Sequence, residues 1–332
     1  MASAAFDVTG IGNAIVDVFA HTDDDFLADN GIEKGAMTLI DAVRAEELYG
    51  RMGPGVEVSG GSAGNTMAGL ACLGGRGAYI GKVHNDQLGA VFRHDIRAAG
   101  VHFETDPLHG GAPTARCLIL VTPDAQRSMN TYLGACVELG PEDIDETLVA
   151  GSQVTYLEGY LWDPPRAKEA FRKAAAIAHA AGRKVALSLS DSFCVHRHHA
   201  EFLDLVENQV DILFANEHEI GALYGTGRFE DALDAVRRLG KVAALTRSEK
   251  GAVVVSGGTA VEVPAEPVER VVDTTGAGDL YAAGFLYGVT RGLPPAQCGR
   301  LGAIAAAEII SHVGARPEAD LVALVAARGV LA

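Results

Sequence analysis

The chain has 332 residues, 48% of them hydrophobic, with 40 glycines and one tryptophan, a composition that excludes a disordered or fibrous protein and supplies ample material for a core. Its 43 acidic residues against 27 basic ones leave a formal net charge of −16, which argues against nucleic acid or an anionic membrane as the main partner, because both select basic faces. Five cysteines (72, 117, 136, 194 and 298) are odd in number and widely spaced, and the opening segment has neither a basic stretch nor an apolar core, so the expectation is a cytoplasmic protein with reduced thiols.

Phe6 to Ala20 reads as a strand, a glycine turn at Gly10-Ile-Gly12 and an apolar continuation. Ile15 stands where a dinucleotide-binding GxGxxG needs a small residue, so that motif fails. Asn13 and Asp17 are polar groups set among apolar ones and must find partners; a carboxylate at 17 suits the adjacent hydroxyls of a sugar diol. Gly35 to Ile40 is a short strand-like run in an excursion from the core. Glu57 to Thr66 forms a second glycine turn, through Gly61, Gly64 and Asn65, that opens a helix. Gly81-Lys82 is not a Walker A, since Arg76 and Val83 occupy the places of its first glycine and its hydroxyl residue. A second excursion spans Val101 to Tyr132, with strand-like runs at His102–Glu104 and Thr114–Val121.

From Gly151 onward apolar strands alternate with amphipathic helices: Val154–Leu157 then Pro165–Ala181, Val185–Leu189 then Ala200–Gln209, Ile212–Phe214 then Glu217–Tyr224. That rhythm predicts a mostly parallel sheet covered on both faces, with ligands at the carboxyl ends of its strands. Asn216 and Glu219 share one face of a first helical turn, as either a set of hard oxygens for magnesium through water or a plain helix cap. The cluster Cys194, His196, His198 and His199 has no companion ligand pair elsewhere and reads as a loop or helix start. Val242–Val255, containing Thr246, Ser248 and Gly251, is a strand, a turn and a strand; Ala305–Ala315 is an apolar helix ending at Gly314.

The most informative stretch runs from Val271 to Val289. Gly276-Ala277-Gly278 turns into an apolar helix, whose first N–H groups lack intrahelical partners and carry the positive end of the macrodipole. Asp279 sits where a carboxylate takes a proton from a hydroxyl beside a bound anion. Donors for developing negative charge next to a base are what phosphoryl transfer to an alcohol requires.

Asp273-Thr-Thr-Gly-Ala-Gly-Asp279 and Glu57-Val-Ser-Gly-Gly61-Ser-Ala-Gly64-Asn65 resemble the two signatures of the ribokinase and phosphofructokinase-B family of carbohydrate and nucleoside kinases, in the right order at opposite ends of the chain. The resemblance implies a ribokinase-like, doubly wound α/β fold over 1–332, with a small β-sheet lid formed by about 14–50 and 101–135. It also implies ATP and Mg2+ as cofactors, Gly276, Ala277 and Gly278 as an anion hole, and Asp279 as the base. Asn13, Asp17, Gly61, Gly64 and Asn65 would hold the sugar. Asn216 and Glu219 would order water around magnesium, Thr246, Ser248, Gly251 and Gly314 would line the nucleotide, and potassium could lie beside Asp273 and Thr275. Ser248 departs from the usual glycine.

Gly12 to Asp17, Val210 to Glu219 and Arg127-Ser128 are most similar to the adenosine kinase branch, in which Arg127 would be a lid cation for the donor phosphates. Met37, Leu39, Tyr160 and Trp162 are candidates for the flat apolar wall a nucleobase needs. The implied activity is phosphorylation of the 5′-hydroxyl of a nucleoside, adenosine foremost, by a monomer or a homodimer formed through the lid. A ribokinase- or fructokinase-type sugar kinase and a non-catalytic nucleoside-binding regulator are the alternatives.

Overall fold

The computed structural model describes residues 4–124 and 126–330; residues 1–3, the start of the segment expected to carry no leader, lie outside the described residues. Strand β1 (Phe6–Ile11) is buried along nearly its whole length, as befits a strand covered on both faces. Past Gly12–Ala14 the chain leaves that sheet and continues as β2 (Ile15–His21), whose burial alternates as in a strand with one open face. Helix α1 (Asp24–Asp29), β3 (Met37–Leu39), α2 (Ala42–Arg51) and β4 (Val56–Ser59) follow, then α3 (Ser62–Cys72), β5 (Gly77–Ile80), α4 (Gln87–Ala98), β6 (His102–Phe103), β7 (Ala115–Val121) and β8 (Arg127–Tyr132).

The second half alternates as its sequence predicts: α5 (Glu146–Ala150), β9 (Ser152–Glu158), α6 (Pro165–Ala180), β10 (Lys184–Ser188), α7 (Ser192–Arg197), α8 (His199–Asn208), β11 (Ile212–Asn216), α9 (Glu217–Tyr224), α10 (Phe229–Leu239) and β12 (Val242–Thr246). A hairpin of β13 (Ala252–Ser256) and β14 (Thr259–Val263) precedes α11 (Ala277–Thr290), α12 (Pro295–Ile309) and α13 (Leu321–Ala327).

Two sheets result. The large one has the order β14-β13-β12-β11-β10-β9-β1-β5-β6, parallel from β12 to β6 and antiparallel in the β12–β13–β14 hairpins. The small one has the order β3-β8-β7-β2-β4. Its membership differs from the expected lid at two places. Strand β4, at 56–59, joins it by antiparallel pairing with β2, whereas β6 belongs to the large sheet, pairing with β5. The reason is packing: Phe103 on β6 is fully buried against Tyr79 and Phe92, with ring centroids at 5.8 and 5.4 Å, in the main core.

Cross-strand registers place Ile15, Asp17 and Phe19 on one face of the small sheet with Cys117, Ile119 and Val121 of β7 and with Arg127 and Met129 of β8. The other face carries Val16, Val18, Leu118 and Leu120 and packs into the main core with Leu27 and Leu48 of α1 and α2. One face therefore remains for a ligand.

Helix α11 lies between α3 and α12. Its close approach to α3 depends on Gly69, where a Cβ would stand 2.4 Å from Leu280 Cδ1. Apolar residues line nearly the whole of α11, so the helix is buried and its amino end is held at one fixed place. Helix α12 ends at Ile309, earlier than the sequence suggests. Buried Glu308 accepts from the N–H groups of Glu318 and Ala319, both at 2.9 Å, and pulls the chain back as a loop through Gly314.

Candidate functional site

The carboxyl ends of β1, β9, β11 and β12 deliver Asn13, Glu158, Asn216 and Thr246 to one edge of the large sheet, and α11 begins beside them. Gly276 caps α11 in a left-handed conformation, φ 78°. Ala277 N–H donates to Thr274 O at 3.2 Å; among the described residues no partner takes the N–H groups of Gly276, Gly278 or Asp279. These are the donors the anion-hole reading calls for, and Ala277 is not free to be one of them.

Asp279, in the first turn of α11, accepts from Ser62 Oγ at 2.6 Å and from Asn65 Nδ2 at 3.0 Å. Both donors lie on the first turn of α3, so the two glycine turns from opposite ends of the chain meet at this carboxylate. Burial pushes its pKa up, and the two hydrogen bonds with the Arg316 charge oppose that rise. Asn65 Oδ1 is buried without a partner and stays open to a donor.

Asp17 lies against the same turn. A Cβ at Gly60 would stand 2.2 Å from Asp17 Oδ2, so only glycine lets the turn close over it. Among the described residues no donor hydrogen-bonds to this carboxylate. Burial raises its pKa to about 7, offset by the Arg316 and Arg127 charges and augmented by that of Asp279. A half-buried acceptor without protein donors is the feature a vicinal diol satisfies. Asn13, the other expected sugar contact, turns inward, its Nδ2 donating to Glu158 at 2.8 Å.

Two charged residues at the centre of the site escape sequence reasoning. Glu158 is 1% exposed and accepts from Asn13 N, Asn13 Nδ2 and Ala63 N, which locks the end of β1 to the start of α3; burial raises its pKa to about 7 against those bonds. The only sequence signal is a carboxylate closing an apolar strand just before Gly159. Arg316, in the loop after α12, donates to Ser59 O at 2.6 Å and to Gly64 O at 2.9 Å, beneath the second glycine turn. Its charge reaches both Asp17 and Asp279.

On the nucleotide side, Asn216 and Glu219 form a capping box. Asn216 N donates to Glu219 Oε2 at 2.9 Å and Asn216 Nδ2 to Oε1 at 2.7 Å, while Asn216 Oδ1 accepts from His218 N and Glu219 N. Burial raises Glu219 to about 7 and the charge of Asp191 adds to the rise. A buried carboxylate with a second acidic charge beside it suits a hydrated divalent cation, so these residues fit magnesium through water as well as serving as a cap. Thr246 ends β12, and Gly251 has φ 81°. Ser248 adopts φ 52°, keeping the backbone a glycine would have and storing about 1 kcal/mol of strain.

Arg127 and Asp273 occupy one place rather than two. Arg127 Nη1 pairs with Asp273 Oδ2 at 2.6 Å and reaches Thr275 Oγ1 at 3.3 Å. Asp273 Oδ1 accepts from Thr275 N and Oγ1 at 3.1 and 2.8 Å, and Oδ2 accepts from Gly314 N at 3.0 Å. Potassium does not fit on these side chains. Both carboxylate oxygens are taken, and a second unit charge about 4 Å from the guanidinium would meet roughly 4 kcal/mol of repulsion at an effective dielectric of 20. Gly314 is thereby tied to Asp273, where the sequence reading set it against the nucleotide.

Among the nucleobase-wall candidates, Trp162 is core: 1% exposed, packed on Phe171 and Phe202, its Nε1 donating to Glu201 at 3.0 Å. Tyr160, in the turn after β9, is 38% exposed, its phenol pushed up by desolvation and by the charges of Asp191, Asp279 and Glu219. Met37 and Leu39 are 50% and 53% exposed at the edge of the small sheet, in register with Met129 and Thr131. The better wall is the adjoining face of Ile15, Phe19, Ile119 and Met129, which surrounds Asp17.

His198 pairs with Asp163 at 2.6 Å and His199 Nε2 donates to Leu223 O at 2.8 Å, so the histidine cluster braces α7 and α8; among the described residues no group of three candidate ligands could hold a metal. Lys82 is buried in an ion pair with Asp143 at 2.5 Å, away from any phosphate role. Among the described residues no helix is long and apolar enough to cross a membrane.

Residues 34–320 match the family described as pfkB family carbohydrate kinase. The structure of adenosine kinase from Sinorhizobium meliloti superposes with a TM-score of 0.90 at 61% identity, covering 99% of this chain and 100% of that one. A probable sugar kinase from Rhizobium etli CFN 42 superposes at 0.92 with 56% identity over 99% of this chain and 100% of that one. The cytidine kinase of Thermococcus kodakarensis is 43% identical over 120 residues, a match that covers 34% of this chain and 42% of that protein.

Proposed function

Since the chain belongs to the pfkB family of carbohydrate kinases, we propose that it transfers the γ-phosphoryl group of ATP to the 5′-hydroxyl of a nucleoside, with adenosine as the preferred acceptor. One observation carries the reading. Asp279, at the amino end of α11 beside open N–H groups, is held by Ser62 and Asn65, and Gly60 of the same glycine turn closes over the donorless Asp17.

In the reaction the 5′-oxygen forms a bond to the γ-phosphorus while the bond from that phosphorus to the β–γ bridging oxygen breaks, and the hydroxyl proton passes to Asp279. Ser62 and Asn65 aim the carboxylate, and the N–H groups of Gly278 and Asp279 donate to the oxygens on which negative charge develops in the transferred group. Asp17 takes the ribose hydroxyls and Asn65 Oδ1 supplies a further acceptor. Asn216, Glu219 and the Asp191 charge would order magnesium through water, and the ion would supply neutralisation of the donor phosphates. The apolar face around Asp17 favours a nucleobase over a free sugar, which leaves that face bare. The acidic surface and the free cysteines suit the cytoplasm.

The test is a panel of adenosine, guanosine, inosine, cytidine, ribose and fructose with Mg-ATP, read as ADP release. Adenosine is expected to give the highest kcat/KM. A preference for ribose or fructose would make the protein a sugar kinase, and no ADP with any acceptor would favour a nucleoside-binding regulator.

A further inference from the structure

The side chains of Asp273 and Thr275 hold a cation of the protein's own. We infer that the guanidinium of Arg127 is the resident cation of the anion-binding loop, so that phosphotransfer needs no potassium or sodium. This rests on the nucleoside kinase reading above.

The pair is built for permanence. Arg127 and Asp273 are 8% and 7% exposed as side chains, and the guanidinium lies over the Phe19 ring at 5.4 Å from its centroid. A salt bridge this deeply buried is costly to break, because the charge left behind has no solvent. Thr275 N and Oγ1 and Gly314 N complete the carboxylate, so the loop leading to Gly276 is fixed from three directions: β8 of the small sheet, its own backbone, and the loop after α12. A positive charge here, one residue from the turn that opens α11, polarises the same peptide groups that a bound monovalent ion would. Arg127 Nη2 is buried with no protein partner, so the guanidinium keeps a donor in reserve while Nη1 stays on Asp273. Arginine serves this purpose because it does not lose its charge when buried.

The experiment compares initial rates in KCl and in tetramethylammonium chloride at equal ionic strength, with MgCl2 constant, for the wild type, Arg127→Lys and Arg127→Gln. Equal ionic strength removes screening as a variable, and the wild type is expected to agree in the two salts within about twofold. Arg127→Gln should lose about tenfold or more in tetramethylammonium and recover in KCl, whereas Arg127→Lys, which keeps a point charge, should remain insensitive to the salt. Thermal midpoints by circular dichroism supply a readout apart from turnover: unchanged between salts for the wild type, raised by KCl for Arg127→Gln. Activation of the wild type by potassium beyond about fivefold at matched ionic strength overturns the inference, as does an Arg127→Gln variant that neither slows nor responds to potassium. If no acceptor is phosphorylated in either salt, the kinase reading fails, while the wild-type and Arg127→Gln midpoints still decide the cation question.

Discussion

Asp17, Glu158 and Glu219 each hold a proton up to about pH 7, and burial is the leading cause in all three. Their folded pKa values lie above those of the unfolded chain, 3.8 for the aspartate and 4.5 for the glutamates, so the folded protein binds these protons more tightly. Stability from these groups is therefore greatest at the acid end and falls as pH rises from about 4 through 7. They serve the site at the expense of the fold. On the proposed function the consequence for Asp17 is functional: as the acceptor of two ribose hydroxyls it would act only when ionised. Adenosine affinity, measured by calorimetry, should weaken about tenfold per pH unit below pH 7 and level off above it, with protons released on binding near neutrality. A dissociation constant that stays flat between pH 5.5 and 8.5 would take Asp17 out of the sugar site.

At the scale of elements, Glu158 joins the crossing of β1 into β2 to the amino end of α3. Glu158→Ala strands the Asn13 and Ala63 donors, at about 1–3 kcal/mol for each buried group left unsatisfied. A calorimetric scan at pH 6 should show the thermal midpoint several degrees lower, together with a raised adenosine KM, because Ser62 and Asn65 lose their footing. An unchanged midpoint would mean that the carboxylate is not what ties these elements.

The sequence predicts much of this level and misses some of it for physical reasons. Periodicity exposes the strand and helix pairs from β9 to α9, since both faces of a parallel strand are apolar and the helices are not. It misassigns β4 and β6, which have four and two residues, because strands that short carry too little pattern to show which sheet they join. Glu158 and Arg316 stay hidden because their partners lie far off in the chain: Glu158 meets Asn13 across 145 positions. The pairing of Arg127 with Asp273 is hidden likewise, although both residues are singled out by motif.

For the molecule as a whole, the claim is that loops near residues 17, 62 and 279 build one cleft between two sheets. In the proposed function the small sheet would contribute Asp17 as diol acceptor and an apolar face, the large sheet contributes the carboxyl ends of β1, β9, β11 and β12, and α11 would bring Asp279 as the base. Ser62 and Asn65 bonded to Asp279, and the charges of Asp279 and Arg316 acting on Asp17, are the physical joints of that arrangement. Binding and chemistry should then separate by variant. The most direct measurement pairs turnover with adenosine calorimetry for Asp279→Asn and Asp17→Ala. The account predicts that Asp279→Asn loses about 10²- to 10⁴-fold in kcat with adenosine affinity close to wild type, and that Asp17→Ala loses affinity. An Asp279→Asn enzyme that turns over normally, or an Asp17→Ala enzyme that binds adenosine as well as the wild type, would contradict it.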